Sequence, residues 1–384
     1  MSKLRTKVLT FLGGTLGVPL AASACRKCNV TVRRLQGALE FEKETQVLRL
    51  ELKHAFFASA ICEAFDSFAK VLPATERNGK RVVDFTTNPN AVNFARSCLQ
   101  HGAKLESREG NFWIIKDDRA MILSPGHLVY AVDMARTFDL YFAPLVPHQR
   151  DGLRVLDYSQ PGILQKYAKS GLEFEMASFP EEEEAIEAYF RHYRPKPGDL
   201  VFDMGAHCGV STYHLAKLVG PEGKVIAFEP DPGNFAILKR NLERHGLENV
   251  FPQNMAIAGK TGKLAFNAEG TLGSSLSSLM QRDSVGSTVT VDAITLQDAF
   301  TRWGAPAYCK VDIEGAEIEV LESASSVLSG ASIYFAFDTH HPRADGTFTD
   351  KPVEKILTSY GYEVHSETQP MTTTWAWPGT HPAA

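Results

Sequence analysis

Four short stretches hold the residues whose types and spacing could do chemistry. The first, Asp203-Met204-Gly205-Ala206-His207-Cys208-Gly209, follows an apolar run and opens a helix-like one, the context of a nucleotide-binding turn. Gly205 permits a tight turn, and Gly209 lets backbone and ligand approach closely. The Gly-x-x-x-Gly spacing is not the Gly-x-Gly-x-x-Gly of a dinucleotide fold. Asp203 would set a carboxylate where a pyrophosphate otherwise lies, which disfavours a phosphate and suits a cationic or amino-acid ligand. That points away from a nicotinamide cofactor and toward the methionine moiety of S-adenosylmethionine. The second stretch ends in Glu229, 20 residues after Gly209, where a carboxylate can accept hydrogen bonds from two ribose hydroxyls.

The third stretch is Lys310-Val311-Asp312-Ile313-Glu314-Gly315-Ala316-Glu317. Its acidic residues end an apolar strand and precede a helix. Carboxylates there can orient a cationic cofactor, hold a substrate hydroxyl or act as base, although Glu314 and Glu317 also fit simple helix N-terminal charge. The fourth is Asp338-Thr339-His340-His341. Histidine is the natural base near neutral pH, and with Asp312 it offers the donor types of a metal site; a surface-loop histidine is the plainer reading.

The elements that must position these residues alternate. Strand-like Leu200–Asp203, Lys224–Glu229, Val250–Ile257, Tyr308–Asp312, Ser332–Asp338, Tyr362–Ser366 and Thr372–Trp377 are interleaved with helices from Gly209, Asp231, Ala316 and Pro352. Such alternation predicts an α/β, doubly wound, mostly parallel Rossmann-like sheet of seven strands, which binds ligands beyond the carboxyl ends of its strands. Ahead of it, Ser178 with Glu181 fits a capping box opening a helix to Tyr193, and Glu181–Glu184 reads as its solvated acidic start.

At 384 residues, 44% hydrophobic and 22% charged, the chain suits a soluble protein of two domains. A net charge of -5 argues against a dedicated nucleic-acid binder. Six irregularly spaced cysteines form no disulfide framework, and Cys25 with Cys28 lacks the second pair of a zinc site. Residues 1–39 form a basic, weakly apolar arm with seven Lys and Arg and no acidic residue. Its stretch up to residue 24 fits a peripheral membrane contact on a cytoplasmic protein; export by a secretory signal is the alternative. Residues 40–170 read as an α+β region of unassigned role, helical over Leu48–Leu72 and strand–turn–strand over Lys104–Leu123. The third region is 171–384.

Residues from about 178 to 366 resemble an FkbM-type methyltransferase, of the class I S-adenosylmethionine-dependent fold. The resemblance rests on four blocks in order: Pro197–Gly209, Ala227–Pro230, Val311–Glu317 and Phe337–His340. One departure is His207, where the family usually has Asn; another is Asp338, usually Glu. The resemblance implies that Asp203, Gly205, Ala206, His207 and Gly209 line the methionine part of the cofactor. It places Glu229 on the ribose and Asn254 near the adenine, with Asp312, Glu314 and His340 bordering the methyl acceptor. It also implies O-methylation of a small-molecule hydroxyl on a sugar or natural product; for that transfer we expect His340, Asp312 or Glu314 to take the proton. Two rivals are a catalytically degenerate binding protein of the same fold and a nicotinamide-dependent oxidoreductase.

Overall fold

The computed structural model describes residues 89–384 apart from 271–273, 277–286, 344–345, 369–371 and 380–384, together with 31–35, 38–43, 46–51, 68, 72, 75–77 and 80–84. The expectations for residues 1–24 and for Cys25 and Cys28 lie outside the described residues. Among those described, no helix is long and apolar enough to cross a membrane. The chain divides into two compact units, 1–160 and 161–384.

The first unit holds two five-stranded sheets. One comprises β1 (Thr31–Leu35), β2 (Ala38–Lys43), β3 (Gln46–Glu51), β4 (Thr75–Arg77) and β5 (Lys80–Asp84), in the order β1-β2-β3-β5-β4. Strand β3 corrects the helix expected from Leu48: Gln46–Glu51 pairs antiparallel with β2. Apolar residues at 48 and 50 satisfy a period of two as well as a helical one, and a short run does not separate them. The remainder of that expected helix falls almost wholly outside the described residues. Helix α1 (Pro89–Gln100) leads into the second sheet, β6 (Lys104–Arg108), β7 (Asn111–Lys116) and β8 (Arg119–Leu123), followed by α2 (Leu128–Arg136), α3 (Phe138–Phe142), β9 (His148–Arg150) and β10 (Leu153–Tyr158). The expected turn between β6 and β7 forms with φ of 53° at Glu109 and 78° at Gly110.

The second unit opens with a hairpin of β11 (Ile163–Lys166) and β12 (Glu173–Met176) and with helix α4 (Glu183–Tyr189). Helix α4 is shorter than the capping-box reading, because Ser178 caps nothing: the N-cap is Glu182, with no side-chain cap bond. Pro180 disfavours helical backbone at Phe179, so the chain stays extended there and the helix starts late. Then come β13 (Leu200–Met204), α5 (Val210–Val219), β14 (Lys224–Phe228), α6 (Pro232–Arg244) and β15 (Val250–Gln253). A smaller sheet follows, of β16 (Ala256–Ile257), β17 (Gly262–Ala268), β18 (Ser275–Leu276) and β19 (Ser287–Ile294). The chain returns through α7 (Leu296–Trp303), β20 (Tyr308–Val311), α8 (Glu317–Ser323), α9 (Ser325–Leu328), β21 (Tyr334–Asp338), α10 (Asp350–Ser359), β22 (Tyr362–Glu367) and β23 (Thr373–Pro378).

Seven of these strands form the main sheet, in the order β15-β14-β13-β20-β21-β23-β22. The sheet is mixed: pairs from β15 through β21 are parallel, and β23 runs against both its neighbours. Phe202, Met204, Ile226 and Phe228 enter the core shared with Leu296, Leu321, Val353 and Leu357 of the following helices. The alternating Val201, Val225 and Ala227 are equally buried, so the sheet is covered on both faces. The run expected as one strand from Val250 to Ile257 is two, since at Asn254 the chain leaves the main sheet for the smaller one. The expected helix at Ala316–Leu328 breaks at Ala324 into α8 and α9.

Register settles where the motifs fall. Met204 lies level with Phe228 and with Val311, and Val311 with Phe337. The loops after β13, β14, β20 and β21 therefore leave one edge of the sheet side by side.

Candidate functional site

The loop after β13 is held in a left-handed path by its own backbone. Gly205 has φ of 81° and its backbone N–H and that of Ala206 both donate to the Phe228 carbonyl, at 3.0 and 2.9 Å. A side chain at Gly205 would meet the Asp312 carbonyl oxygen at 1.7 Å, so only glycine fits. His207 is also left-handed, at φ of 48°, in a region enriched in Asn, Asp and His among residues other than glycine. The departure from the family's Asn thus keeps a residue type suited to this backbone. The His207 backbone N–H donates to Glu229 Oε2 at 2.8 Å, and that of Asp231 to Oε1 at 2.8 Å. Burial raises the Glu229 pKa to about 7 despite His207 and those two bonds. Asn254 donates from Nδ2 to the carbonyls of Glu229 and Pro230, pinning the same turn.

These groups open onto a cleft whose empty space, open solvent included, is about 600 Å³. Glu181, His207, Glu229, Asp312 and Glu314 supply its polar wall, and Met255, Ile257, Phe266 and Ile313 its apolar wall. Of the residues expected from sequence, Gly205, His207, Glu229, Asp312 and Glu314 face the cleft. Asp203, Ala206 and Gly209 are buried and do not line it, and neither do the exposed Asn254 and His340.

Asp203 has a different job from the one its position suggests. It is fully buried, and its Oδ2 accepts the hydroxyls of Thr212 at 2.6 Å and Ser211 at 3.1 Å. Its Oδ1 stands 3.5 Å from Lys310 Nζ. Lys310, itself buried in β20, donates to the Gly205 carbonyl at 2.6 Å and lies 3.6 Å from Asp312 Oδ2. Burial disfavours the Lys310 charge, but Asp203 and Asp312 outweigh it and hold the pKa above the usual lysine value. Burial pushes Asp203 and Asp312 upward, Lys310 opposing it in both.

The two histidines after β21 divide their roles. His340, half exposed, hydrogen-bonds through Nδ1 to Asp338. His341 is buried: its Nδ1 meets Glu317 Oε1 at 3.1 Å, and its Nε2 points to Asp312 Oδ1 at 3.5 Å and Glu314 Oε1 at 3.8 Å. Glu314 sits at a left-handed φ of 52°, in the turn that aims it there. Three members of the site escaped the sequence reading in different ways. Glu181 was read as part of a solvated acidic run, yet it is largely buried and reaches His207 Nδ1 at 3.3 Å. Burial works against its ionisation, but His207 and Lys310 win and lower its pKa. His207 in turn is penalised by burial but held well above the usual histidine value by Cys208 and Glu181. Lys310 had a signal available, a cation inside an apolar parallel strand. For His341, adjacency to His340 concealed which ring turns inward.

Residues 203–364 match the family model described as the methyltransferase FkbM domain. The chain is 26% identical to the 31-O-demethyl-FK506 methyltransferase FkbM of Streptomyces tacrolimicus, over 48% of this chain and 80% of that protein. It is 28% identical to the hexuronic acid methyltransferase AglP of Haloferax volcanii, over 41% of this chain and 61% of that protein. Among solved structures, it is similar to the methyltransferase FkbM of Methylobacillus flagellatus KT at 15% identity and a TM-score of 0.36, covering 82% of this chain and 70% of that one. The match to the methyltransferase FkbM domain spans the loops that carry His207, Glu229, Asp312 and Glu314 of the cleft.

Proposed function

We propose that the second unit binds S-adenosylmethionine in the cleft and methylates a hydroxyl of a small molecule. The observation that carries this reading is the Glu229 carboxylate. Both its oxygens are anchored by backbone N–H groups, and it sits at the rim between an apolar wall and a group of carboxylates. A nucleoside fits that order of surfaces: Met255, Ile257 and Phe266 take the base, and the remaining acceptor capacity of Glu229 takes the ribose hydroxyls. The acidic end, Asp312 with Glu314, favours a cation. The Gly205 turn, too tight for a Cβ, leaves backbone rather than side chain against the ligand. Asp203 supports this cradle from behind, Asn254 ties the Glu229–Pro230 turn from outside, and His207 closes it.

S-adenosylmethionine supplies, when bound, a methyl group on a positively charged sulfur. The chain's own contribution is alignment and proton handling, with proximity the larger share. The acceptor hydroxyl meets Asp312 and Glu314 at the cleft wall, and one of these carboxylates takes its proton. Lys310 holds the other oxygen of Asp312 and keeps that carboxylate oriented. The names of the Streptomyces and Haloferax relatives, a 31-O-demethyl-FK506 methyltransferase and a hexuronic acid methyltransferase, favour a natural product or sugar as acceptor.

Calorimetry with S-adenosylmethionine and S-adenosylhomocysteine tests the donor site. Micromolar binding that is lost in Glu229→Ala, followed by methyl transfer to members of a sugar and natural-product panel, is the expected outcome. Absence of binding by the native chain overturns the reading, and binding without transfer favours a degenerate binding protein.

A further inference from the structure

We propose that Asp312, Glu314 and His341 form a divalent metal site at the acceptor end of the cleft. The donor atoms of the three lie within 4.8 Å of one another. Carboxylates gathered in a loop are common without an ion, so the argument turns on His341. Its ring is 1% exposed, and Nε2 has no hydrogen-bond partner. That nitrogen points at two carboxylate oxygens, 3.5 and 3.8 Å away. Without an ion, the neighbouring carboxylates favour a charged ring that turns an Nε2 proton toward them. A divalent cation seated between the three donors would take that proton's place.

The surroundings orient the ring for such an ion. Glu317 is fully buried and accepts backbone N–H bonds from Ile313 and Gly315 at 3.4 and 3.3 Å. The same oxygen meets His341 Nδ1 at 3.1 Å. This is the arrangement of a carboxylate behind a metal-binding histidine, which fixes the ring and leaves Nε2 as the ligand atom. Separations of 3.5 and 3.8 Å are close to the ~3.4 Å between neighbouring ligands about an ion bound at ~2.1 Å in tetrahedral geometry. Two oxygens and one imidazole nitrogen suit Mn²⁺, Fe²⁺ or Zn²⁺ more than Mg²⁺ or Ca²⁺. With three protein ligands, a further position stays open toward the cleft that Asp312 and Glu314 line.

The role of the ion rests on the methyl-transfer reading, whereas its binding does not. An acceptor hydroxyl on the open position would lose its proton more readily, to the oxygen of Asp312 or Glu314 that does not hold the ion. The oxygen keeps the O–H electron pair and forms the new C–O bond; the methyl–sulfur bond breaks and its pair stays on sulfur.

The test uses the full chain, stripped with a chelator and dialysed, then titrated with Mn²⁺ while the six-line resonance of free Mn²⁺ is followed. The expected result is one equivalent of Mn²⁺ withdrawn from that signal. Glu314→Gln and His341→Gln should each abolish this at equimolar metal, and Glu317→Gln, which touches no ion, should weaken it by about 10–100-fold. Circular dichroism verifies folding; Glu314→Gln, a near-isosteric change at the cleft wall, stands in should the His341 variant not fold. Undiminished free signal with the native chain, or equal binding by native chain and Glu314→Gln, overturns the site. Cofactor calorimetry on the same stripped sample separates the two readings. Cofactor bound with Mn²⁺ left free sinks the metal alone, and Mn²⁺ bound without cofactor sinks the methyl-transfer reading alone.

Discussion

Affinity for S-adenosylhomocysteine should fall about tenfold between pH 8 and pH 6, and Glu229→Gln should remove that dependence. Glu229 is 5% exposed, and burial lifts its pKa from 4.5 to about 7. A pKa of about 7 leaves roughly nine-tenths of the group ionised at pH 8 and one-tenth at pH 6, hence the tenfold change if only the carboxylate binds well. Its two backbone donors occupy one lone-pair site on each oxygen, leaving others for ribose hydroxyls, and hydrogen bonds to a charged group contribute about 1.5–3 kcal/mol each. In Glu229→Gln one of those backbone N–H groups faces an amide nitrogen, and the charge assistance is gone. The variant should bind about 10–100-fold more weakly at pH 8, yet within a few-fold of the native chain at pH 6. Stability runs the opposite way. The folded pKa lies above the unfolded one, so the contribution of Glu229 to stability is fully present below pH 4.5 and declines as pH rises to about 7. The loss amounts to roughly 3 kcal/mol, so the Gln variant should not melt much below the native chain at pH 8. Calorimetry from pH 6 to 8, with melting curves on both proteins, reads all of this. A native affinity that is flat across that range, or a variant that retains the slope, would refute the argument; a retained slope would move it to His207, which meets both Glu229 and Glu181.

Three further outcomes follow from the buried charges and the two histidines. Thr212→Val removes the 2.6 Å bond to a fully buried carboxylate while preserving shape, and should cost about 1–3 kcal/mol in chemical denaturation. Lys310→Met leaves Asp203 and Asp312 without their shared cation, and should cost about 3–5 kcal/mol at pH 8. That deficit should shrink in acid as the carboxylates take up protons, and a pH-independent deficit would exclude the charge explanation. His340→Ala, at a ring that does not line the cleft, should keep turnover within about tenfold of native, whereas a loss of 10²–10⁴ would identify His340 as the base after all.

The sequence disclosed the order of elements well because parallel strands carry it in plain form. Leu200-Val201-Phe202, Val225-Ile226-Ala227 and Tyr334-Phe335-Ala336 are continuous apolar runs, each followed by a polar loop. Those loops held most of the site for the same reason: register brings strand ends level. What the sequence concealed was direction. Asp203 and Glu229 are both carboxylates at strand ends, but one turns under the sheet to Thr212 and Lys310 while the other turns to the cleft. His340 and His341 differ in the same way. Glu181 was hidden by its acidic neighbours, since no periodicity marks one member of a run as buried. The break at Asn254 was equally silent, because a strand that changes sheets keeps its apolar character throughout.

That change of sheets has an evolutionary consequence. Everything ionisable around the cleft except Glu181 hangs from the main sheet, where a shift of one strand would move several groups together. The apolar wall comes largely from Met255, Ile257 and Phe266, at and within the smaller sheet. Substitutions at the outward-facing positions of β17 and β19 can therefore accumulate while Phe266, Val291 and Ala293 keep their packing against Ile313 and Ala316 of the Asp312 turn. Descendants of such a chain can drift there while the proton-handling residues stay fixed, so divergence should concentrate at those positions of β17 and β19 and spare the ends of β13, β14 and β20.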